Sequence, residues 1–229
     1  MNTALVTGAG RGIGLATARA FLAAGWRVLA LDMSFSGPEE KNSTRLKFDL
    51  QDLAAIPVLI ESLGEIHALV NNAGVQNALP YDQYTEEARR RIIRINLEAP
   101  ALLIESVSHQ MKKRKSGRIV NLASIASFQP HPDLWYGVTK AGIASMTRSF
   151  ASYLGRHGIQ VNAVAPGPVE TELLKVVDAA RREKLLQQVY TGRTGKPEEI
   201  AAAILWLCTA SPAIVNGSIL DINDGTWPR

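Results

Sequence analysis

The chain has 229 residues, of which 46% are hydrophobic and 20% are charged, and its formal net charge is +4. A chain of this size can bury a full core, in one large α/β domain or in two small ones. No apolar run approaches the ~20 residues that span a bilayer, which excludes a transmembrane helix. The first apolar run begins at Thr3, so we expect no signal peptide. The single cysteine, Cys208, excludes an intrachain disulfide and favours a reducing, cytoplasmic location.

The positive charge is densest in Lys112-Lys113-Arg114-Lys115, between a predicted helix and the next strand. Such a run can bind an anionic partner, but cations at the end of a helix also complement its dipole. No aromatic side chains interleave with the run, as a nucleic-acid platform would require. We therefore predict a solvated helix end and expect neither a nucleic-acid nor a membrane partner.

Short apolar runs alternate with stretches of helical periodicity along the whole chain. The predicted strands are Thr3–Thr7, Arg27–Leu31, Arg45–Phe48, Ala68–Asn71, Arg118–Ala123, Gln160–Ala165 and Ser218–Asp221. The predicted helices are 12–24, 50–62, 85–113, 135–155 and 197–209. Most strands are rich in Val, Ile or Leu without clean alternation, as expected when both faces are covered. The pattern predicts a single α/β domain over 1–229: a doubly wound, Rossmann-type parallel seven-stranded sheet with helices on both faces.

Two segments interrupt this alternation. Residues 33–44 are too short, and too broken by Gly37 and Pro38, for an ordinary crossover helix. Residues 166–196 form a long excursion between a strand and a helix, with a predicted helix over Glu172–Tyr190. Long excursions in compact domains are often active-site lids, so we predict a substrate lid over 166–196.

A glycine-rich turn follows the first strand, in Thr7-Gly8-Ala9-Gly10-Arg11-Gly12-Ile13-Gly14. Glycines are needed in such a turn because it takes φ/ψ values that side chains forbid, and because a Cβ would hold a pyrophosphate off the backbone N–H groups. The helix that follows offers the positive end of its dipole to the phosphates. This strand–turn–helix order predicts a dinucleotide site.

Asp32 ends the second strand, about twenty residues beyond the glycine turn. A carboxylate there accepts hydrogen bonds from the adenosine ribose and repels a 2′-phosphate, which favours NAD over NADP. Arg11 argues the other way, because a guanidinium in the glycine loop could face a 2′-phosphate. Residues 71–74 (Asn-Asn-Ala-Gly) let the backbone approach the ribose, and an amide there can tie adjacent strands together. The same four residues also fit an ordinary turn.

Tyr136 and Lys140 lie four residues apart on one helix face, and Ser124 ends the strand before that helix. A nearby ammonium lowers the pKa of a phenol, so such a tyrosine can exchange a proton with an alcohol or carbonyl near neutral pH. A serine hydroxyl beside it can bond the same substrate oxygen. The Tyr-x-x-x-Lys pair gains weight here because a dinucleotide site precedes it.

These motifs resemble the short-chain dehydrogenase/reductase family over almost the whole chain. The resemblance rests on Thr7-Gly8-x-x-x-Gly12-Ile13-Gly14, Asp49-Leu50, Asn71-Asn72-Ala73-Gly74, Asn96, Ser124, Tyr136, Lys140, the run from Pro166 to Thr171 and the run from Gly192 to Ile200. It implies that Asn96, Ser124, Tyr136 and Lys140 form the catalytic set. Tyr136 would be the general acid/base, Lys140 would lower its pKa and bind the nicotinamide ribose, and Ser124 would orient the substrate oxygen. Asn96, through water at a helix irregularity, would link Lys140 to solvent.

The cofactor contacts implied by the residues and by this resemblance fall in several segments. They are Gly8, Arg11, Gly12, Ile13, Gly14, Asp32, Asp49, Leu50, Asn71, Ala73, Gly74, Tyr136, Lys140, Pro166, Val169 and Thr171. Thr171 matches the threonine that bonds the nicotinamide carboxamide in this family.

The substrate pocket is predicted from the loop before Tyr136 and from the predicted lid. Its candidates are Gln76, Ser124, Phe128, Leu134, Trp135, Tyr136, Val169, Leu173 and Leu174. This mainly apolar lining suits a ring, a medium-length acyl chain or a hydroxy compound. Ser124 lies twelve residues before Tyr136, one fewer than is common in the family, so we expect a reshaped loop. We interpret His131 as an ordinary loop residue, and we predict no catalytic metal because no other ligand-type residue stands at a metal-binding spacing near it.

Three functions are compatible with the sequence. The first is an NAD(H)-dependent oxidoreductase acting on a secondary alcohol or ketone. The second is a 3-oxoacyl-thioester (acyl-carrier-protein) reductase that uses NADPH. The third is a non-catalytic dinucleotide-binding regulatory protein, against which the complete Ser124–Tyr136–Lys140 set argues. We also expect the family's usual homotetramer, or a homodimer, since helices 85–113 and 135–155 and the last strand resemble its interface elements.

Overall fold

The structure, a computed structural model, describes residues 1–175 and 179–227. Its strands are β1 (Thr3–Thr7), β2 (Arg27–Asp32), β3 (Ser43–Lys47), β4 (Ala68–Asn71), β5 (Gly117–Leu122), β6 (Ile159–Pro166) and β7 (Ile219–Ile222). In this part of the chain they form one seven-stranded sheet in the order β3-β2-β1-β4-β5-β6-β7. Each neighbouring pair is parallel. The predicted doubly wound α/β fold is confirmed.

Helices connect these strands. They are α1 (Gly12–Ala23), α2 (Ala55–Ser62), α3 (Glu86–Ile93), α4 (Ala99–Arg114), α5 (Leu134–Leu154), α6 (Glu172–Lys175), α7 (Ala179–Leu186) and α8 (Pro197–Thr209). Two of them start at side-chain caps: Thr85 accepts the Ala88 N–H at the start of α3, and Asp133 accepts the Tyr136 N–H at the start of α5. A π-helical turn over Arg94–Glu98 joins α3 to α4, so the predicted helix 85–113 is one helical stretch with a local irregularity.

The predicted helix 50–62 begins only at Ala55. The preceding residues turn because carboxylates bond to nearby backbone N–H groups: Asp49 Oδ1 accepts from Gln51 N at 2.9 Å, and Asp52 Oδ1 accepts from Ala55 N at 3.3 Å. Such local bonds compete with the helix ladder. The predicted strand Arg45–Phe48 is shifted toward the N-terminus and pairs with β2 at the edge of the sheet.

The predicted helix Glu172–Tyr190 is wrong in its extent. The structure has α6 and α7 there, while residues 176–178 lie outside the described part of the chain. Tyr190 is in a turn rather than a helix, because its N–H donates to the Asp224 carbonyl at 3.0 Å. Residues 33–42 form no helix, as the sequence predicts.

Both faces of the sheet are buried, because successive side chains of a strand point to opposite sides. On one face, Ala4 and Val6 of β1 belong to a cluster with residues of α1 and α8. On the other face, Leu5 belongs to a cluster with residues of α2, α4 and α5. This double cover explains why the strands read as continuous apolar runs in the sequence.

The strand order determines where a ligand can bind. β1 lies between β2 and β4, so the chain leaves the carboxyl end of β1 at a switch point of the topology. Ligands of open α/β sheets bind in the crevice at such a point. The glycine turn follows β1 and residues 72–74 follow β4, while Ser124 and Pro166 lie at the ends of β5 and β6 along the same edge.

The basic run closes α4, as predicted for a helix end. The helix ends at Arg114, Lys115 has a left-handed backbone with φ of +55°, and Lys112 and Lys113 are exposed. Arg114 is held in place, since its Nη2 donates to the Ile66 carbonyl at 2.8 Å. Among the described residues, no helix combines the length and apolarity that a membrane crossing needs.

Candidate active site

The glycine turn between β1 and α1 has no space for a side chain at Gly8, Gly10 or Gly14. A Cβ placed on Gly14 would lie 2.0 Å from the Gly8 carbonyl oxygen, and one placed on Gly8 would lie 2.9 Å from Ala73 Cα. Gly8 also has φ of +66°, which other residues rarely adopt. The first N–H groups of α1 have no partner within the helix. A crowded backbone turn that opens onto a helix N-terminus fits the pyrophosphate of a dinucleotide.

The residues after β4 hold this turn in position. Thr7 Oγ1 accepts hydrogen bonds from the N–H groups of Asn72 and Ala73, both at 3.0 Å. Asn72 Nδ2 donates to the carbonyls of Thr7 at 2.9 Å and Gly8 at 3.2 Å. Asn72 is therefore a positioning residue for the cradle, although the sequence analysis gave it no role of its own.

Asn71, placed among the cofactor contacts, has a buried side chain that bonds within the protein. Its Nδ2 donates to Asn121 Oδ1 at 2.9 Å and to the Pro100 carbonyl at 3.4 Å, and the residue is 3% exposed. The amide side chain thus ties β4 to β5, a role that the sequence allowed, and only the backbone of Asn71 is left for a cofactor.

Asp32 points toward the glycine turn from the end of β2. Its Oδ2 accepts from Gly10 N at 2.8 Å, and its Oδ1 accepts from Met33 N at 2.7 Å. These bonds fix the carboxylate and leave further acceptor positions for ribose hydroxyls. Arg11 is exposed at the N-cap of α1, and Lys47 lies opposite Asp32 in the β2–β3 register. The same end of the sheet therefore carries one acidic and two basic groups.

The short 33–42 loop has a defined shape without a helix. The guanidinium of Arg45 donates to the carbonyls of residues 36, 37 and 38 at 2.6 to 3.1 Å, and it lies 5.2 Å from the centre of the Phe35 ring. The loop therefore folds around an arginine of β3 beside the predicted adenosine site.

The predicted adenine pair, Asp49 and Leu50, lies just beyond β3. Asp49 accepts from the backbone and side chain of Gln51, and Leu50 is 6% exposed within the core. Leu50 can thus offer an adenine little more than its backbone.

The base of the predicted lid lies against the glycine turn. A Cβ on Gly12 would come 3.3 Å from Thr171 Cγ2. Val169 is buried and pairs with Gly195 through a parallel β-bridge, so the two ends of the excursion meet. Pro166 ends β6 just before this bridge. Thr171 is therefore beside the N-terminus of α1.

Ser124, Tyr136 and Lys140 come together at the carboxyl end of β5. The Ser124 hydroxyl lies close enough to the Tyr136 phenol to act on its pKa. Lys140 Nζ lies 5.6 Å from the centre of the Tyr136 ring and donates to the Leu122 carbonyl at 2.6 Å. A Cβ placed on Gly74 would lie 3.6 Å from Lys140 Nζ, which brings the end of β4 to the same place.

The pKa values of this pair depart from the prediction. Burial raises the pKa of Tyr136, although its hydrogen bond with Ser124 acts in the opposite direction. The predicted lowering of the Tyr136 pKa is therefore wrong. The physical reason is that desolvation outweighs the effect of Lys140, whose ammonium bonds to Leu122 rather than to the phenol. Burial also lowers the pKa of Lys140 to about 8.

Asn96 lies within the π-helical turn, so the predicted helix irregularity is present. Its Oδ1 accepts from Val75 N and its Nδ2 donates to the Val75 carbonyl, both at 2.8 Å. Its Nδ2 also donates to Thr139 Oγ1 at 3.2 Å. Asn96 thereby joins the segment after β4 to the helix that carries Tyr136 and Lys140.

The predicted substrate residues surround this set unevenly. Gln76 is half-buried, and Phe128 packs on a small cluster that includes Ala123 and Ile143. Trp135 lies under the guanidinium of Arg89, 5.8 Å from the ring centre.

The remaining candidates differ in exposure. Leu134 is 44% exposed, Leu174 is half-buried, and Val169 is buried in the core rather than open to a pocket. The side chain of Leu173 lies outside the described part of the chain.

Three residues next to Tyr136 were not predicted for the site. The His131 ring lies 5.0 Å from the Tyr136 ring, so it borders the acid/base candidate and is more than an ordinary loop residue. Asp133 is buried and accepts from the Tyr136 N–H and the Tyr84 hydroxyl. An aspartate just before a predicted helix is an N-cap signal that would have drawn attention to Asp133. Tyr84 is 49 residues away in the chain and has no such signal.

A dinucleotide cradle beside a neighbouring serine and tyrosine and a buried lysine defines an oxidoreductase site that works with a nicotinamide dinucleotide. Comparisons with known proteins agree. A family model described as enoyl-(acyl carrier protein) reductase matches residues 8–226. Protein FixR of Bradyrhizobium diazoefficiens is 37% identical, over 96% of this chain and 85% of that protein. Galactitol 2-dehydrogenase of Agrobacterium fabrum is 34% identical, over 99% and 97%.

A solved structure is equally similar. The gluconate 5-dehydrogenase of Burkholderia cenocepacia, in complex with NADP and tartrate, superposes with a TM-score of 0.90 at 31% identity. The match covers 98% of this chain and 94% of that one. The chain therefore belongs to the short-chain dehydrogenase/reductase family of NAD(P)-dependent oxidoreductases.

Proposed function

We propose that this protein is an NAD-dependent dehydrogenase or ketone reductase that acts on a secondary alcohol or the matching ketone. The observation that carries the proposal is the convergence of Ser124, Tyr136 and Lys140: the Ser124 hydroxyl acts on the pKa of Tyr136, and Lys140 Nζ lies 5.6 Å from the centre of the tyrosine ring. This group lies on the same sheet edge as the glycine cradle. A bound nicotinamide dinucleotide supplies the hydride acceptor or donor for such chemistry.

The protein's own residues handle the proton. Tyr136 takes a proton from the substrate hydroxyl in oxidation and returns it to the carbonyl oxygen in reduction. Ser124 holds the same oxygen and stabilises the charge that develops on it. Lys140, when protonated, favours the phenolate of Tyr136, and Asn96 lies behind it on the way to solvent. Removing any of these groups takes away a different part of the same proton transfer.

The preference for NAD rests on Asp32. Its carboxylate is fixed at the end of β2 by Gly10 and Met33, where it would meet the ribose hydroxyls and repel a 2′-phosphate. Arg11 and Lys47 are the opposing features, and the gluconate 5-dehydrogenase structure carries NADP. The anchored carboxylate outweighs two exposed cations, whose charge water screens.

Titration with NADH and with NADPH tests this preference, read by energy transfer from the protein's tryptophans. We expect NADH to bind at least ~10-fold more tightly, a difference of about 1.4 kcal/mol. Two matched variants are compared with the parent. Asp32→Ser should reduce the preference for NADH over NADPH, whereas Arg11→Ala should leave this preference unchanged. Tighter binding of NADPH to the parent would overturn the NAD assignment.

The substrate class follows from the pocket and the relatives. Phe128 and Trp135 are partly buried near Tyr136, while Gln76 adds a polar group to an otherwise apolar lining. The similar proteins named for galactitol and gluconate act, by their names, on hydroxyl-rich chains. We propose a hydroxy compound of this kind, and the first assay is reduction of NAD with galactitol, D-gluconate and cyclohexanol.

Replacing Tyr136 by Phe tests the mechanism. The variant loses the proton-transferring hydroxyl, so turnover should fall by at least ~100-fold. NADH affinity should stay within about twofold of the parent, because the cradle is untouched. Steady-state kinetics and the NADH titration measure both. Near-parent turnover in this variant would show that another group transfers the proton.

A 3-oxoacyl-thioester reductase is the second candidate. It is favoured by similarity to the 3-oxoacyl-[acyl-carrier-protein] reductase FabG of Escherichia coli, which is 33% identical over 98% of this chain and 96% of that protein, and it requires NADPH preference. Assay with an acetoacetyl thioester and NADPH distinguishes it from the alcohol dehydrogenase. A regulatory protein without activity would show no turnover of any of these substrates, although it would bind the dinucleotide.

We further propose a single domain with a lid over 166–196, assembled as a homotetramer or homodimer in the cytoplasm. The exposed Val138 and Tyr153 of α5 support an interface on that helix, and the free, buried Cys208 suits a reducing compartment. Light scattering after size exclusion measures the assembly.

A further inference from the structure

We propose that Asp133 and Tyr84 are a pair of positioning residues that lock the substrate-side segment 75–84 onto the catalytic helix α5. The inference deepens the proposed function, since it rests on Tyr136 being the acid/base. Neither residue belongs to the glycine turn or to the Ser124–Tyr136–Lys140 set. Tyr84 is linked to Tyr136 through Asp133, and Asp133 bonds to the backbone N–H of Tyr136.

The carboxylate of Asp133 is buried and fully engaged. Its Oδ2 accepts from Asn77 N at 2.8 Å and Ala78 N at 3.0 Å. Its Oδ1 accepts from Tyr136 N at 3.0 Å and from the Tyr84 hydroxyl. A carboxylate that is 1% exposed needs several donors to offset its desolvation, and here four supply them.

These bonds join two parts of the chain that form opposite sides of the site. Tyr136 N belongs to the first turn of α5, whereas Asn77, Ala78 and Tyr84 lie between β4 and α3. An N-cap alone needs one acceptor, and an exposed serine or asparagine supplies it equally well. The other three bonds of Asp133 therefore do something beyond starting the helix.

The segment 75–84 is held at both sides of Gln76. Asn96 bonds both backbone groups of Val75, and Asp133 bonds the N–H groups of the two residues after Gln76. Ala78 has φ of +53°, a left-handed conformation that costs a residue other than glycine free energy. Its bond to Asp133 offsets this cost, so the strained backbone persists only while the carboxylate is in place.

Charge is the second link between Asp133 and Tyr136. The negative carboxylate adds to the burial that raises the pKa of Tyr136. The other groups that face Tyr136 are Ser124, Lys140 and His131. Burial and the neighbouring carboxylate raise the pKa of Tyr84, so its hydroxyl remains a donor to Asp133 throughout the working pH range.

Two variants separate the roles of the pair. Asp133→Ser keeps an N-cap acceptor for α5, but it is too short to reach the segment 75–84 and carries no charge. Tyr84→Phe keeps the ring and the Asp133 charge and removes only the hydroxyl donor. Thr85→Ala is the matched control, because it removes the cap of α3 next to Tyr84 without touching Asp133.

Hydrogen exchange of the backbone amides gives the first readout and needs no substrate. In Asp133→Ser, the amides of Asn77 and Ala78 should exchange at least ~10-fold faster, while Val75, held by Asn96, keeps its protection. Tyr84→Phe should give a smaller acceleration of the same amides. Thr85→Ala should leave them unchanged.

Titration of Tyr136 gives the second readout. The tyrosinate absorbance of each protein is measured against pH, and the absorbance of the same protein carrying Tyr136→Phe is subtracted, which leaves the signal of Tyr136. Asp133→Ser should lower the Tyr136 pKa, because the carboxylate charge that raises it is lost. Tyr84→Phe keeps the charge and should not lower it. If the substitutions merely loosened the site, water would reach Tyr136 and its pKa would fall in both variants. A lower Tyr136 pKa in Asp133→Ser but not in Tyr84→Phe therefore shows an effect of the Asp133 charge.

With galactitol or D-gluconate, whichever the parent oxidises, KM should rise ~10-fold in Asp133→Ser and ~3-fold in Tyr84→Phe, with NADH affinity within twofold of the parent. Unchanged amide exchange and an unchanged Tyr136 pKa in Asp133→Ser would overturn the proposal. If the parent protein oxidises none of the assayed alcohols, the proposed function is wrong. The roles of Asp133 and Tyr84 are still tested in that case, because amide exchange and the Tyr136 titration need no substrate.

Discussion

At the scale of single residues, the site depends on placing ionisable groups where water is scarce. Lys140 is 4% exposed, and the burial of its ammonium lowers its pKa to about 8. Its hydrogen bond to the Leu122 carbonyl does not neutralise the charge. Burying the Lys140 ammonium therefore costs the folded state free energy. Such a cost is expected of a group with a role in the site rather than in stability.

This placement gives a pH-dependent stability. Below about pH 8 Lys140 is protonated in both the folded and the unfolded chain, and the full cost of burying its charge is present. Between about pH 8 and 10.5 the unfolded chain binds more protons, so the stability of the parent rises with pH. Relative to Lys140→Met, which has nothing to titrate, the parent should gain about 2 kcal/mol from about pH 8 to pH 10.

Urea denaturation of both proteins across this range measures the gain. A constant difference between parent and Lys140→Met from about pH 7 to pH 10 would mean that the folded protein does not lower the Lys140 pKa.

At the scale of elements, the joint between β1 and α1 is the least tolerant part of the fold. Gly14 begins α1 against the Gly8 carbonyl, and Asn72 closes the same space from the end of β4, with its Nδ2 2.4 Å from where a Gly14 Cβ would be. Backbone, and an amide held by hydrogen bonds to the Thr7 and Gly8 carbonyls, cannot yield as a flexible side chain would. The cradle is therefore shaped by packing between two strands rather than by the turn alone.

Gly14→Ala should destabilise the protein by about 1–3 kcal/mol, because the added methyl collides with backbone. It should also weaken NADH binding by at least ~10-fold, since the turn must shift. The control is Gly25→Asn at the other end of α1, where nothing lies within 4 Å and φ is +78°, a value that asparagine tolerates. Chemical denaturation and the NADH titration compare the two; equal NADH binding in both would contradict a crowded cradle.

Some strands and helices could be predicted from the sequence with correct bounds, and others could not. β1, β4 and α8 were predicted with their observed bounds, because apolar runs and a proline start are local signals. The helix predicted over Glu172–Tyr190 failed at Tyr190, whose turn is set by a bond to Asp224, 34 residues further on.

The same limit applied to the site. Ser124, Tyr136 and Lys140 could be predicted from spacing and family resemblance. The contact between Tyr84 and Asp133 could not, because nothing local links a tyrosine before one helix to an aspartate before another. The direction of the Tyr136 pKa failed for a related reason, since desolvation depends on the whole surrounding fold.

At the scale of the whole molecule, the cofactor cradle combines segments that are distant in the chain. Gly8, Asp32, Asn72 and Thr171 come from the ends of different strands and meet only when the sheet is complete. A ligand that bridges them stabilises the entire folded state, because the unfolded chain offers no such site.

NADH at about 100 times its Kd should therefore add about 2.7 kcal/mol and raise Tm by roughly 5–10 °C. Tyr136→Phe should show the same increase, whereas Gly14→Ala, which binds NADH at least ~10-fold more weakly, should gain at most about half as much, about 1.4 kcal/mol, at the same concentration. Differential scanning fluorimetry measures all three. A full increase in Gly14→Ala would place the dinucleotide away from the glycine turn.

The strand order also has a consequence for synthesis on the ribosome. β1 pairs with β2 early, but the partner of its other edge is β4, and Ala4 pairs with Ala68, 64 residues later. Until β4 emerges, the nascent chain carries an unpaired strand edge composed of Ala4, Leu5 and Val6, all completely buried in the finished protein. Bare apolar edges invite association with other chains. The interval between the first strand and the fourth is thus when this polypeptide most needs a chaperone.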